Sequence, residues 1–135
     1  MKFRDEYWFM SNMCKVDVSY EGEVYSCVES AFQAAKCKSK KDRQKFVALN
    51  GFEARKLGKE VDIKKNWNDI RVDVMRGLLT QKFNSVAQPW FGERLGKVEG
   101  KIAEDNWWGD TFWGRVNGTG RNELGKLLME IRDSR

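Results

Sequence analysis

The stretch SCVESAFQAAK, Ser26 to Lys36, governs how the N-terminal half of the chain is read. Ser26-Cys27-Val28-Glu29 has the S-x-x-E form of a capping box. In that motif the serine side chain takes the N3 amide and the glutamate reaches back to the N-cap amide. A helix is therefore expected from Ser26 to about Lys36. At 100° per residue, Val28, Ala31, Phe32 and Ala35 share an arc of about 100° and are assigned to the core. Glu29, Gln33 and Lys36 stand at i, i+4 and i+7 and form a polar stripe beside it. That stripe reads either as a surface ladder or as one wall of a cleft. A carboxylate that caps its own helix cannot also reach into a cleft, so the two uses of Glu29 exclude each other.

Outward from this helix, KVDVSYEGEVYSC reads as a β-hairpin, with Val16, Val18, Tyr20 and Val24 alternating around a turn at Glu21-Gly22. KKDRQKFVALN reads as a second helix ending near Asn50-Gly51. FEARKLG reads as a short third helix with Gly58 as its C′ stop. The longest helix is expected from Asn66 to Lys82, with Trp67, Ile70, Val74 and Leu78 as its apolar stripe. A turn or two of helix follows at Trp90–Gly96, GKIAED reads as a short strand, and a last helix from Asn122 to Arg132 buries Leu124, Leu127, Leu128 and Ile131. The expected class is α+β, mostly α, in one compact domain over residues 1–135 with a short β-hairpin near the N-terminus.

Composition narrows the chemistry. Of 135 residues, 41% are apolar, and six Trp and eight Phe give an aromatic load that a disordered chain does not carry. No apolar run is long enough to span a membrane, and MKFRDEYWFM lacks the apolar centre of a secretory signal. Three cysteines, Cys14, Cys27 and Cys37, have no ligand-like spacing and read as reduced thiols of a cytoplasmic protein. There is no histidine. Ser-His-Asp and Cys-His mechanisms and zinc held on histidines are thereby excluded. No metal and no cofactor is expected, and proton transfer falls to carboxylates, Lys, Tyr or Cys. The net charge of +5 is uneven: residues 36–65 carry eleven Lys/Arg against four Asp/Glu. That segment reads either as a solvated helical surface or as a face for an anionic partner.

EDNWWGDTFWG, Glu104 to Gly114, packs three Trp, one Phe, two Gly and three acids into eleven residues. Aromatic residues in a loop are unusual unless something packs on them. Either Trp107, Trp108 and Trp113 fill the core, at least one of them necessarily, or flat rings are offered to a base. Carboxylates, an ammonium, aromatic walls and a basic rim suit cleavage of a glycosidic bond, where carboxylates stabilise an oxocarbenium-like centre and activate water.

Six motifs in order carry a resemblance over nearly the whole chain: FMSNM (Phe9–Met13), YSCVESAFQAAK (Tyr25–Lys36), EARKLGK (Glu53–Lys59), WNDIRVDVMRGLLTQKF (Trp67–Phe83), WWGD (Trp107–Asp110) and GRNELGKLLMEIR (Gly120–Arg132). The chain resembles the NADAR, or YbiA-like, family. The resemblance implies a compact, mostly helical fold and hydrolysis of an N-glycosidic bond. One branch of the family removes ADP-ribose from guanine in nucleotide or nucleic acid and acts against ADP-ribosyltransferase toxins. Another resembles riboflavin-pathway enzymes that cleave phosphorylated ribosylaminopyrimidine metabolites. The remaining alternative is a non-catalytic module that binds ADP-ribose or nucleic acid. By position, the resemblance implies catalytic roles for Glu29, Lys36 and Asp105, and substrate contacts from Asn12, Trp67, Arg71, Trp108, Gly109, Asp110 and Asn122. Periodicity alone gives Trp67 a core role equally well. Ser30 stands where the family usually has histidine, and Asn122-Glu123 replaces a frequent Asn-His.

Overall fold

The computed structural model describes residues 1–135 as two compact units: Asn12–Lys82, and Met1–Ser11 together with Phe83–Arg135. In the first unit an antiparallel hairpin, β1 (Val18–Tyr20) and β2 (Glu23–Tyr25), leads into helix α1 (Val28–Ala35). Helices α2 (Lys40–Gln44), α3 (Gly51–Leu57) and α4 (Trp67–Phe83) follow, the last ending one residue into the second unit. That second unit also contains a 3-10 helix at Asp5–Met10, helix α5 (Trp90–Gly96) and helix α6 (Glu123–Asp133). No helix is long and apolar enough to cross a membrane. The mostly helical class with one short hairpin is the one the sequence indicates.

Glu21 and Gly22 have φ of +49° and +85°, the paired positive values of a type I′ turn, whose twist matches that of the strands it joins. The register sets Val18 opposite Tyr25 and Ser19 opposite Val24. Val16, Val18 and Tyr25 are consequently buried. Val24 faces solvent, contrary to the alternation expected of it, because it shares a face with Ser19 rather than with Val18.

Helix α1 begins one residue later than the capping box implies, with the N-cap moved from Ser26 to Cys27. Ser26 Oγ donates to the Leu49 carbonyl at 2.7 Å. With that hydroxyl engaged, Cys27 becomes the extended N-cap residue, and its thiol accepts the Ser30 amide. The reciprocal box appears instead at α3, where Asn50 and Glu53 exchange both bonds at 2.9 Å. Helix α2 covers only the first half of its expected range. Beyond Gln44 the chain continues in i→i+3 turns that place Phe46 in the interior. GKIAED is extended but is not a strand. Its backbone makes one isolated parallel bridge, Asp105 with Arg115, and the Asn122 side chain donates to the Ile102 carbonyl at 3.0 Å and accepts the Glu104 amide at 3.1 Å. Asn122 therefore precedes α6 without capping it.

Helix α4 buries Trp67, Met75, Leu78, Leu79, Lys82 and Phe83, while Ile70 and Val74 are only half-buried. The buried arc is rotated by roughly 90° from the expected stripe at 100° per residue. Lys82 lies in its middle and is fully buried. Burial pushes its ammonium down to about 8 from the usual 10.5, against the opposing pull of the Cys14 and Cys27 thiols. In the second unit Phe83 stands between Phe9 and Phe91 in edge contacts of 6.5 and 6.3 Å, and Leu124, Leu127, Leu128 and Ile131 of α6 are buried as expected.

Two predictions follow from these features. Asn adopts positive φ more readily than Glu, so Glu21→Asn stabilises the hairpin by a few tenths to about 1 kcal/mol. Thermal melting reads this as a higher Tm, and a lower Tm contradicts the turn assignment. For Lys82, the folded state releases its proton near pH 8 and the unfolded state near 10.5. Below this window the cost of the buried charge is fully present. Within it the unfolded chain binds more protons, so stability gains from Lys82 as pH rises. Denaturant unfolding of wild type and Lys82→Met at pH about 7 and about 10 should show wild type gaining relative to the variant. An unchanged difference contradicts the assignment.

Candidate active site

The cluster within Asn12–Lys82 is built on α1. Starting at Val28 gives Glu29 a buried position in the first turn, where the Asn12 carbonyl accepts its amide at 3.0 Å. The carboxylate does not curl back to cap the helix. Glu29 Oε1 accepts from Gln33 Nε2 at 3.0 Å, and the guanidinium of Arg55 on α3 approaches the same oxygen at 3.5 Å. A buried carboxylate requires such partners, because unpaired charge is costly away from water.

Helix α3 comes close enough to supply Arg55 because it carries glycine at both ends. A Cβ on Gly51 would collide with Met13 Sδ and stand 3.3 Å from both Cys27 Sγ and Glu29 Cβ. A Cβ on Gly58 would collide with Gln33 Oε1 and stand 2.9 Å from Lys36 Nζ. Gly58 has φ of −59°, ordinary right-handed geometry, so it is not the left-handed stop that its place at the helix end suggests. A side chain there would displace the Gln33 carboxamide or the Lys36 ammonium.

Lys36, the C-cap of α1, is half-buried. Burial lowers the pKa of its ammonium, which Cys37 and Glu29 partly offset. The ion-pair partner of Glu29 is Arg55 rather than Lys36. Trp67 is buried and packs on Phe32 with centroids 5.0 Å apart, so the core role that periodicity allows is realised. Arg71, one turn further along α4, is half-buried. The Asn12 side chain directs Nδ2 toward Met75 Sδ at 3.6 Å and leaves Oδ1 buried without a hydrogen-bond partner. Ser30, at the family's histidine position, is fully buried and donates its hydroxyl to the Leu49 carbonyl at 2.9 Å.

Asp105, Trp108, Gly109, Asp110 and Asn122 lie in the second unit. Asp105 is paired with the Met1 ammonium and, at 2.9 Å, with Arg115. The hydrogen bond from Met1 lowers its pKa most; slight burial works against that, and Arg115 adds to the lowering. The Trp-rich loop is ordered by its polar residues. Asn106 and Asp110 exchange hydrogen bonds at 2.8 and 3.0 Å, and Asp110 Oδ1 accepts the amides of Phe112 and Trp113. Gly109, with φ of +88°, makes the turn that a side chain would strain. None of the loop tryptophans fills the core: Trp107 is 85% exposed, Trp108 48%, and Trp113 is half-buried. The loop closes through its amides and turns instead of through apolar burial. The Asp110 carboxylate and the Asn122 side-chain amide thus have visible structural work, while Trp107, mostly exposed, meets Trp108 edge to face with centroids 5.8 Å apart.

Residues brought together in the first unit are Glu29, Lys36 and Asn12, with Arg55, Gln33 and Gly58 added to them. Arg55 escaped sequence reasoning because it is 26 residues from its partner; its one sequence signal is membership of the EARKLGK motif.

Residues 2–134 match the NADAR domain. N-glycosidase YbiA of Escherichia coli is 30% identical over 136 residues, covering 96% of this chain and 82% of that protein. An N-glycosidase of Nostoc punctiforme is 28% identical, covering 94% and 85%. A riboflavin biosynthesis protein of Vibrio vulnificus is 29% identical, and the match spans only 36% of its length. The NMR structure of Escherichia coli YbiA superimposes with a TM-score of 0.83 at 29% identity, over 99% of this chain and 81% of that one. By domain match, relatives and fold, the chain belongs to the NADAR family.

Proposed function

We propose that this chain is an N-glycosidase that removes ADP-ribose from guanine in a nucleotide or nucleic acid. One observation carries the reading: a buried carboxylate, Glu29, is kept off its own helix cap and oriented by Gln33 and Arg55, with the half-buried ammonium of Lys36 close by. In this reading Glu29 faces the ribosyl carbon as its C–N bond to guanine breaks. It stabilises the oxocarbenium-like centre and takes one proton from the attacking water as the new C–O bond forms, while the C–N bond electrons leave with guanine, which that same proton then neutralises. Lys36 and Arg55 hold phosphate oxygens, and the basic segment that contains them extends the anion-binding face.

A second reading is favoured by the name of the Vibrio vulnificus relative. In it the bond cleaved is that of a phosphorylated ribosylaminopyrimidine. The two readings separate on products. Incubation with an oligonucleotide carrying ADP-ribosylated guanine should release ADP-ribose. Release of free pyrimidine from the ribosylaminopyrimidine phosphate, with no ADP-ribose from the oligonucleotide, supports the second reading. Binding without turnover of either refutes both.

Glu29→Gln keeps the shape of the side chain and removes its charge. Turnover should fall by about 10²-fold or more with Tm nearly unchanged. Wild-type turnover in this variant contradicts the role given to Glu29.

A further inference from the structure

Gln33 has two amide ends in unequal circumstances. Nε2 donates to Glu29 at 3.0 Å, whereas Oε1 is buried and has no hydrogen-bond partner. The amide cannot be turned over, because that would set its oxygen against the Glu29 carboxylate. Oε1 points instead at the bare Cα of Gly58, where Lys36 Nζ also approaches. A buried acceptor without a donor destabilises a fold, and an apolar side chain of equal length would avoid the loss. Gly58 adds a further cost: with φ of −59° it occupies a helical position that alanine would fill more stably, except that the Gln33 oxygen takes the space. Two residues thus depart from the most stable choice, and both departures serve to keep one carboxamide beside Glu29.

We propose that Gln33 is a positioning residue. Its carboxamide fixes the Glu29 carboxylate and stands between it and Lys36. Carboxylate and ammonium, at i and i+7 on one stripe, are thereby kept from closing into an ion pair, and the ammonium stays available to an anionic substrate. No ion pair joins Glu29 and Lys36, although each lies within electrostatic reach of the other. Gly58 is the gap that lets the carboxamide keep this place. The assignment rests on the catalytic role of Glu29 given above.

The test is Gln33→Met, which keeps length and removes both polar atoms, measured by thermal melting and by steady-state hydrolysis of ADP-ribosylated guanosine. The expected result is a kcat reduced between about 10- and 100-fold with KM changed much less, and a Tm within a few degrees of wild type, because loss of the donor to Glu29 and removal of the orphaned acceptor act in opposite directions. Gly58→Ala should also lower kcat by displacing the carboxamide. The double variant should be no worse than Gln33→Met alone, since the object displaced is gone. Failure to fold in Gln33→Met, wild-type kcat, or losses that add in the double variant each overturn the assignment. A wild-type protein inactive on both ADP-ribosylated guanosine and the ribosylaminopyrimidine phosphate refutes the reading of the site instead. The melting comparison does not depend on activity, and failure of Gln33→Met to fold there still refutes the role of Gln33.

Discussion

The close approach of α3 to α1 is the constraint on which the candidate site depends. Two glycines at the ends of one short helix remove the side chains that would hold it off, Gly51 against Met13 and Cys27, Gly58 against Gln33 and Lys36. The result is local and electrostatic. Arg55 reaches a carboxylate that has little access to water, and that carboxylate already has an amide donor one turn along its own helix. Van der Waals packing sets the distance at which the charges meet. A side chain at either position would require Met13, Gln33 or Lys36 to shift beside the ion pair.

The second unit solves a different problem by different means. Its loop from Glu104 to Gly114 exposes two large rings, a choice that loses apolar burial. The exchange between Asn106 and Asp110, and the two amides that Asp110 gathers, hold the loop without a hydrophobic anchor. Asn122 does the same for the extended Ile102–Glu104 segment. Side-chain amides and carboxylates thus take over work that a β-ladder would otherwise do, and aromatic surface remains open on an ordered frame.

Helix count, the hairpin and its turn, and the ordered Trp-rich loop were legible in the sequence, because each has a local cause: apolar periodicity, paired positive φ at Glu21-Gly22, or turn residues at fixed offsets. What escaped was long-range. The S-x-x-E motif is a correct local rule, but the Leu49 carbonyl 23 residues away claims the Ser26 hydroxyl and moves the helix start. The face of α4 was misjudged because two cations, Lys82 and Arg71, lie in or beside its buried arc and mask it as polar. Gly58 looks like a helix stop, yet its bareness answers to Gln33 on another helix. At the site, Glu29 and Lys36 could be read from their spacing on one helix, and Arg55 could not, since nothing in its neighbourhood points to Glu29.

The central claim is that Glu29 is held by Gln33 and Arg55 in order to face a ribosyl carbon. A crystal structure of the protein with ADP-ribose bound tests it most directly. The account predicts the distal ribose with its anomeric carbon against the Glu29 carboxylate, phosphate oxygens on Lys36 or Arg55, and Gln33 still donating to Glu29. Ligand bound away from α1, or Glu29 turned back onto the first amides of its own helix, would contradict it.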